Sequence, residues 1–174
     1  PENGGSSGFA PGNTIRSVIP TGNRGEYLNT RMSYLKLRLT NTDPDTDVEL
    51  TLDLSAHSLI RSLKVSASGG AGGGVLENIE EYNALLQALT DTSVSQDQLT
   101  SERSVAEGSE TGGNIYGGNS KIFCLPLMSG VLGTLQQKYL PTGAMARTHL
   151  VLELTLAERD RVQLQSAPWA VSDV

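Results

Sequence analysis

The sequence predicts an all-β fold, an antiparallel sandwich. Three observations carry that prediction. Leucines recur at every second position in several short stretches, with polar residues between them. One mid-chain stretch switches to a spacing of three and four. Long Gly-rich and acidic connections separate these elements. Period-two alternation marks strands with one wet face, whereas a parallel sheet gives continuous apolar runs.

Residues 1–13 have the composition of a flexible arm. Ile15, Val18 and Ile19 then predict a short strand ending at Pro20, with a turn at 21–25. In Tyr34–Thr40, Leu35, Leu37 and Leu39 point one way and Lys36 and Arg38 the other. Turn formers fill Asn41–Asp47. Val48, Leu50, Leu52 and Leu54 alternate after them, so the two stretches are expected to pair as a hairpin. Leu59–Val65 is a third strand, and Ser66–Gly74 a loose loop.

Leu76, Ile79, Tyr82, Leu85, Leu86 and Leu89 predict a helix, with Glu77, Glu80 and Glu81 near its start, where the dipole favours anions. Residues 91–120 form a polar excursion with a short helix expected near Gln96–Arg103. Lys121–Leu127 is a strand that Pro126 places at an edge or an end. Val131, Leu132 and Leu135 fit a helical turn or two, and Tyr139–Gly143 a turn. Leu150, Leu152, Leu154 and Leu156 make the last clear strand, which Val162 and Leu164 continue or follow. An eight-stranded jelly roll fits this length, as one domain over 14–174 behind the arm at 1–13.

The balance of 13 basic against 19 acidic residues gives a net charge of −6, which argues against a coat for nucleic acid. A single Cys excludes a disulfide framework, and two His exclude most transition-metal sites. No apolar run approaches the 18 or more residues of a membrane-spanning helix. The chain opens on Pro1 and not Met, the start expected of a processed product or of part of something longer.

Motifs with chemical potential fail on context. Gly4-Gly5-Ser6-Ser7-Gly8 matches a nucleophile elbow by letters, but no strand precedes it. Ser33-Tyr34-Leu35-Lys36 needs a helix and lies in a strand. Asp43, Asp45 and Asp47 resemble a calcium loop, yet Val48 and Leu54 stand where a calcium hand has Gly and Glu. The bland alternative is a set of turn carboxylates. Gly69–Gly74 lacks the Lys and Ser/Thr of a phosphate loop. His57 and His149 sit at strand edges as structural histidines, and Cys124 is expected to be a small buried hydrophobe. The first 40 residues are net positive by three, while 77–110 hold eight acids against Arg103. Such a dipole orients subunits more than it binds them. No catalytic, cofactor-binding or metal-binding residue is assigned.

The order of elements is more specific than any site. Ser55-Ala56-His57-Ser58-Leu59 runs on to Val65, and Leu76–Leu85 follows a Gly-rich stretch. Later come Phe123-Cys124-Leu125-Pro126-Leu127-Met128-Ser129-Gly130, then Lys138-Tyr139-Leu140-Pro141, and finally Leu150–Leu156. Over roughly 14–160 this progression resembles the jelly-roll major capsid proteins of tailless icosahedral viruses, especially the double-jelly-roll group of virophages and polinton-like elements. A double roll needs two such units, and 174 residues hold one. The resemblance implies a virion structural protein without a cofactor. It also implies self-assembly into capsomers, commonly trimers, that contact neighbouring subunits and meet nucleic acid weakly or indirectly.

In that reading the loops at 66–75 and 91–120 are the contact surfaces, and the arm orders on assembly. Two other classes compete. One is a sandwich-type binding module, a lectin or adhesion domain, whose calcium-dependent version uses Asp43, Asp45 and Asp47. The other is a hydrolase built on His57 or His149.

Overall fold

In the computed structural model the described residues are 8–22, 25–52, 55–69, 73–93, 114–133, 139–145, 148–158, 167–172 and 174. Their principal elements are two antiparallel sheets packed face to face. The first holds β1 (Thr14–Ile19), β10 (His149–Leu156), β5 (Ile60–Ser68) and β6 (Gly74–Ile79), in that order. The second holds β11 (Trp169–Ser172), β3 (Tyr34–Asn41) and β8 (Ser120–Pro126). Two short pairs flank them, β2 (Leu28–Asn29) with β9 (Tyr139–Leu140) and β4 (Glu49–Leu50) with β7 (Ile115–Tyr116).

Alternation explains the core. Leu150, Leu152 and Leu154 of β10 lie opposite Ala67, Val65 and Leu63 of β5, all facing inward. From the other sheet, Leu37 and Leu39 of β3 meet Phe123 and Leu125 of β8 and Trp169 and Val171 of β11 in one apolar cluster. Each fully buried Leu or Phe side chain contributes about 1.5–3 kcal/mol relative to an exposed one. The all-β sandwich expected from the leucine spacing is what these residues form.

Several local expectations fail for identifiable reasons. The stretches 34–40 and 48–54 do not pair with each other. β8 runs along one edge of β3 from Tyr34 to Thr40, and β11 takes the other from Arg38 to Asn41, next to the turn. Among the described residues the second stretch yields β4, which finds β7 far along the chain. The helix starts later than its periodicity suggests: Gly74–Ile79 is strand, hairpinned to β5, and α1 spans Tyr82–Ser93. Ser66–Ser68 likewise belongs to β5 and not to a loose loop. No acidic residue occupies the first turn of α1, because Glu77 lies in β6 and Glu80 and Glu81 precede the helix.

Among the described side chains of α1, Tyr82 and Leu86, one turn apart, are the buried ones. Tyr139–Leu140, expected as turn, is the strand β9. The short helix near 96–103, Leu135, Val162 and Leu164 lie outside the described residues. β11 was not predicted at all.

Chain crossings join the two sheets. Phe9 bridges Val171 at the free edge of β11, with the Val171 amide donating to the Phe9 carbonyl at 2.9 Å. Leu156 N–H then donates to the Asn13 carbonyl at 2.9 Å, where β1 begins. Residues 8–13 thus lace β11 to β1.

Candidate functional site

Among the described residues the hydroxyl and imidazole of Ser55 and His57 meet, inside a structural turn. His57 is buried in a 3-10 turn (Ala56–Leu59) that leads into β5, with Nδ1 3.2 Å from the Ser55 hydroxyl. His149 is exposed and pairs with Ser68 at the far end of β5. The two histidines therefore sit at opposite ends of one strand. Ser33 closes a 3-10 turn and Lys36 lies in β3, so the Ser-x-x-Lys letters have no helical geometry. Ser6 and the rest of 1–7 lie outside the described residues.

The aspartates have a structural job. Asp45 N–H donates to Asp43 Oδ1 at 2.9 Å, and Asp47 N–H to Asp45 Oδ1 at 3.0 Å. Each carboxylate caps the amide two residues on, a run of Asx turns. Among the described residues no group of three His, Cys, Asp or Glu side chains is placed to hold a metal ion.

Cys124 is exposed, contrary to expectation. With Phe123 and Leu125 pointing inward, period two forces Cys124 outward, opposite Lys36.

The outer faces differ in character. On the four-stranded sheet Glu153 of β10 lies between Arg16 of β1 and Lys64 of β5, at 3.8 and 3.2 Å. These side chains are partly exposed, so the ladder contributes at most about 1 kcal/mol per pair. It does solvate that face. Near the start of β3 the surface is apolar instead. Tyr27 is 66% exposed, Met32 66%, Tyr34 56% and Tyr139 65%. The pairing of Asn29 with Tyr139 puts Tyr139 and Tyr27 on one side of the β2–β9 ribbon. Clustered exposed apolar residues of this kind mark interaction surfaces.

Two polar locks hold the connections around the sheets, and neither was foreseen. In the first, the Glu77 carboxylate of β6 accepts from the Ser129 hydroxyl and from Gly130 N–H at 2.9 Å. Ser129 Oγ in turn accepts from Leu132 N–H at 3.0 Å. Beside it, Met128 N–H donates to Tyr82 Oη at 2.9 Å. Burial pushes the Tyr82 hydroxyl up to about 12, with the Met128 N–H opposing and the Glu77 charge adding to that rise.

The second lock is Asn41, fully buried at the end of β3. Its Nδ2 donates to the carbonyls of Val48 and Ile115, each at 3.0 Å, and its Oδ1 accepts from Asp43 N–H at 3.1 Å. Gly117 lets the aspartate turn close on β7, since a Cβ there would lie 1.9 Å from the Asp45 carbonyl oxygen. A residue such as Asn41, at an inward position of an otherwise leucine-lined strand, is the kind of signal that would have exposed this lock.

No helix among the described residues is long and apolar enough to cross a membrane, which says nothing of a β-barrel.

No family model matches this chain, and no curated protein sequence matches it. Solved structures do. The chain is similar to the PBCV-1 virus capsid in a quasi-atomic model, with a TM-score of 0.54 at 18% identity, over 96% of this chain and 38% of that one. It is similar to PBCV-1 VP54, in a crystal structure fitted into a cryo-EM reconstruction of the virophage Sputnik, with a TM-score of 0.55, 18% identity and the same coverage. The chain thus spans well under half the length of these neighbours. At such low identity the likeness is one of fold: the antiparallel jelly-roll sandwich expected from the sequence is the architecture of the described residues.

Proposed function

We propose that this chain is a structural viral capsid protein, a jelly-roll subunit that self-assembles into capsomers and an icosahedral shell and resides in the virion. The observation that carries this reading is the fold match to PBCV-1 capsid protein over 96% of the chain. The placement of ionisable groups is in keeping with it: the two histidines stand apart, Asp43 and Asp45 cap a turn, and Glu77 holds a loop. On this reading the protein is no enzyme and has no cofactor.

Residues 14–174 act as one jelly-roll domain and 1–13 as an arm. Three copies form a capsomer, and capsomers meet through their edges and connections. Contact with nucleic acid is weak or indirect, because a net charge of −6 cannot release many phosphate counterions. Obligate contacts of this kind bury more than about 2,000 Å² in total.

Size-exclusion chromatography with light scattering, followed by negative-stain microscopy, tests the reading. Trimers or shells are expected. A strictly monomeric species across concentration and salt overturns it.

A further inference from the structure

Just before β1 the chain makes a tight turn. Asn13 N–H donates to the Ala10 carbonyl at 3.2 Å across Pro11 and Gly12, and Gly12 has a φ of 79°. Proline second and a positive-φ glycine third are the residues of a type II turn. The proline ring holds the same φ whether the chain is turned or extended. Opening this turn into a straight segment therefore needs little beyond a change at Gly12, and glycine takes either sign of φ with little penalty.

Ahead of the turn, Gly8 and Phe9 form a strap on the outer edge of β11. Phe9 and Val171 exchange both main-chain hydrogen bonds, and the Phe9 side chain is half-buried against the core. The fit is close, since a Cβ on Gly8 would lie 2.7 Å from the Val171 carbonyl oxygen. Beyond the turn, Gly12 N–H donates to the Ala157 carbonyl at 3.2 Å, and the Asn13 carbonyl accepts from Leu156 N–H. The turn is thus a joint between two anchored stretches.

Every copy of the chain carries both this strap and the β11 edge that receives it. A neighbour's strap makes the same bonds at Val171 and meets the same close fit at Gly8. Closed and exchanged forms differ chiefly at the turn, and exchange of an identical element is a low-cost route to association. The β11 edge stays covered in either form, which protects it from unspecific pairing.

We propose that Gly8 and Phe9 are an exchangeable strap: with the turn at Pro11 and Gly12 extended, they seat on the β11 edge of a second copy of this chain. This deepens the capsid reading and rests on it.

The test co-expresses two whole-chain variants, both with Cys124→Ser, one carrying Ala10→Cys and the other Ala170→Cys. These positions follow the Phe9–Val171 bridge in the antiparallel register, where opposed cysteines lie within reach of a disulfide. Oxidation with copper phenanthroline is expected to give a covalent dimer of the two different chains, identified by mass. Gly12→Val, added to both, puts a β-branched residue at a φ of 79°, and no atom of the described residues beyond its neighbours lies within 4 Å of the new Cβ. It strains the closed turn and is expected to raise the mixed product about fivefold, the change that about 1 kcal/mol of left-handed strain gives. Chains that assemble in sedimentation velocity yet give no mixed product overturn the strap and leave the capsid reading standing. Chains that stay monomeric and give none overturn both. A mixed product that Gly12→Val does not raise overturns the hinge and the strap with it. Should Gly12→Val fail to fold, the mixed product decides the matter alone.

Discussion

At Asn41, β3 runs into a saturated knot: a buried amide bonded to two carbonyls and one N–H, closed over by Gly117. At Tyr34 the same strand starts beside an apolar cleft, and Tyr34 itself is exposed. One strand thus joins a region where the buried Asn41 amide is fully used to one where apolar surface is exposed. The first arrangement specifies a single fold, since a buried polar group is tolerated only with its partners in place. The second stabilises an isolated subunit little and suits contact with another chain.

The contrast can be broken most directly at the knot. Asn41→Ala strands two buried carbonyls, at about 1–3 kcal/mol each, so a loss of about 2–5 kcal/mol is expected in chemical denaturation. A loss below about 1 kcal/mol would show that the two ends of β3 are not so different. Ser129→Ala comes next. It removes the hydroxyl between Glu77 and the Leu132 amide and is expected to cost about 1–3 kcal/mol, read as a lower denaturation midpoint with unchanged slope.

The Tyr82 hydroxyl gives a smaller effect with a distinct signature. Below its ordinary value of 10.0 both folded and unfolded chains hold the proton. Between there and about 12 the unfolded chain releases it while the folded one keeps it, so stability falls as pH rises through that window. Thermal melts against pH should show this alkaline decline in wild type and a shallower one in Tyr82→Phe. Least of all is expected at the Tyr34 end. Tyr34→Ala should shift the stability of the monomer by no more than about 0.5 kcal/mol while still weakening association. A large stability loss there would mean that Tyr34 belongs to the core and not to a contact surface.

Leucine spacing made most of the fold legible. Leu35, Leu37 and Leu39, and Leu150 to Leu156, announced their strands because alternation is a local property of a pleated chain. Val75–Ile79 misled because a short apolar run flanking a helix fits both periods, and only pairing with β5 decided for strand. Cys124 was legible by the same alternation, had its register with Phe123 been followed. Trp169–Ser172 was too short to stand out, and it is a strand because β3 had an edge to offer.

The sequence alone determined the class of structure: which stretches are extended and which side of each is apolar. Tertiary structure decided everything that joins distant residues. It chose β7 over β3 as the partner of β4, aimed Glu77 at the loop around Ser129 and gave Asn41 its carbonyls. The reason is physical: side-chain alternation is set by neighbours along the chain, whereas each strand edge and each buried polar group takes whichever partner packing brings within reach.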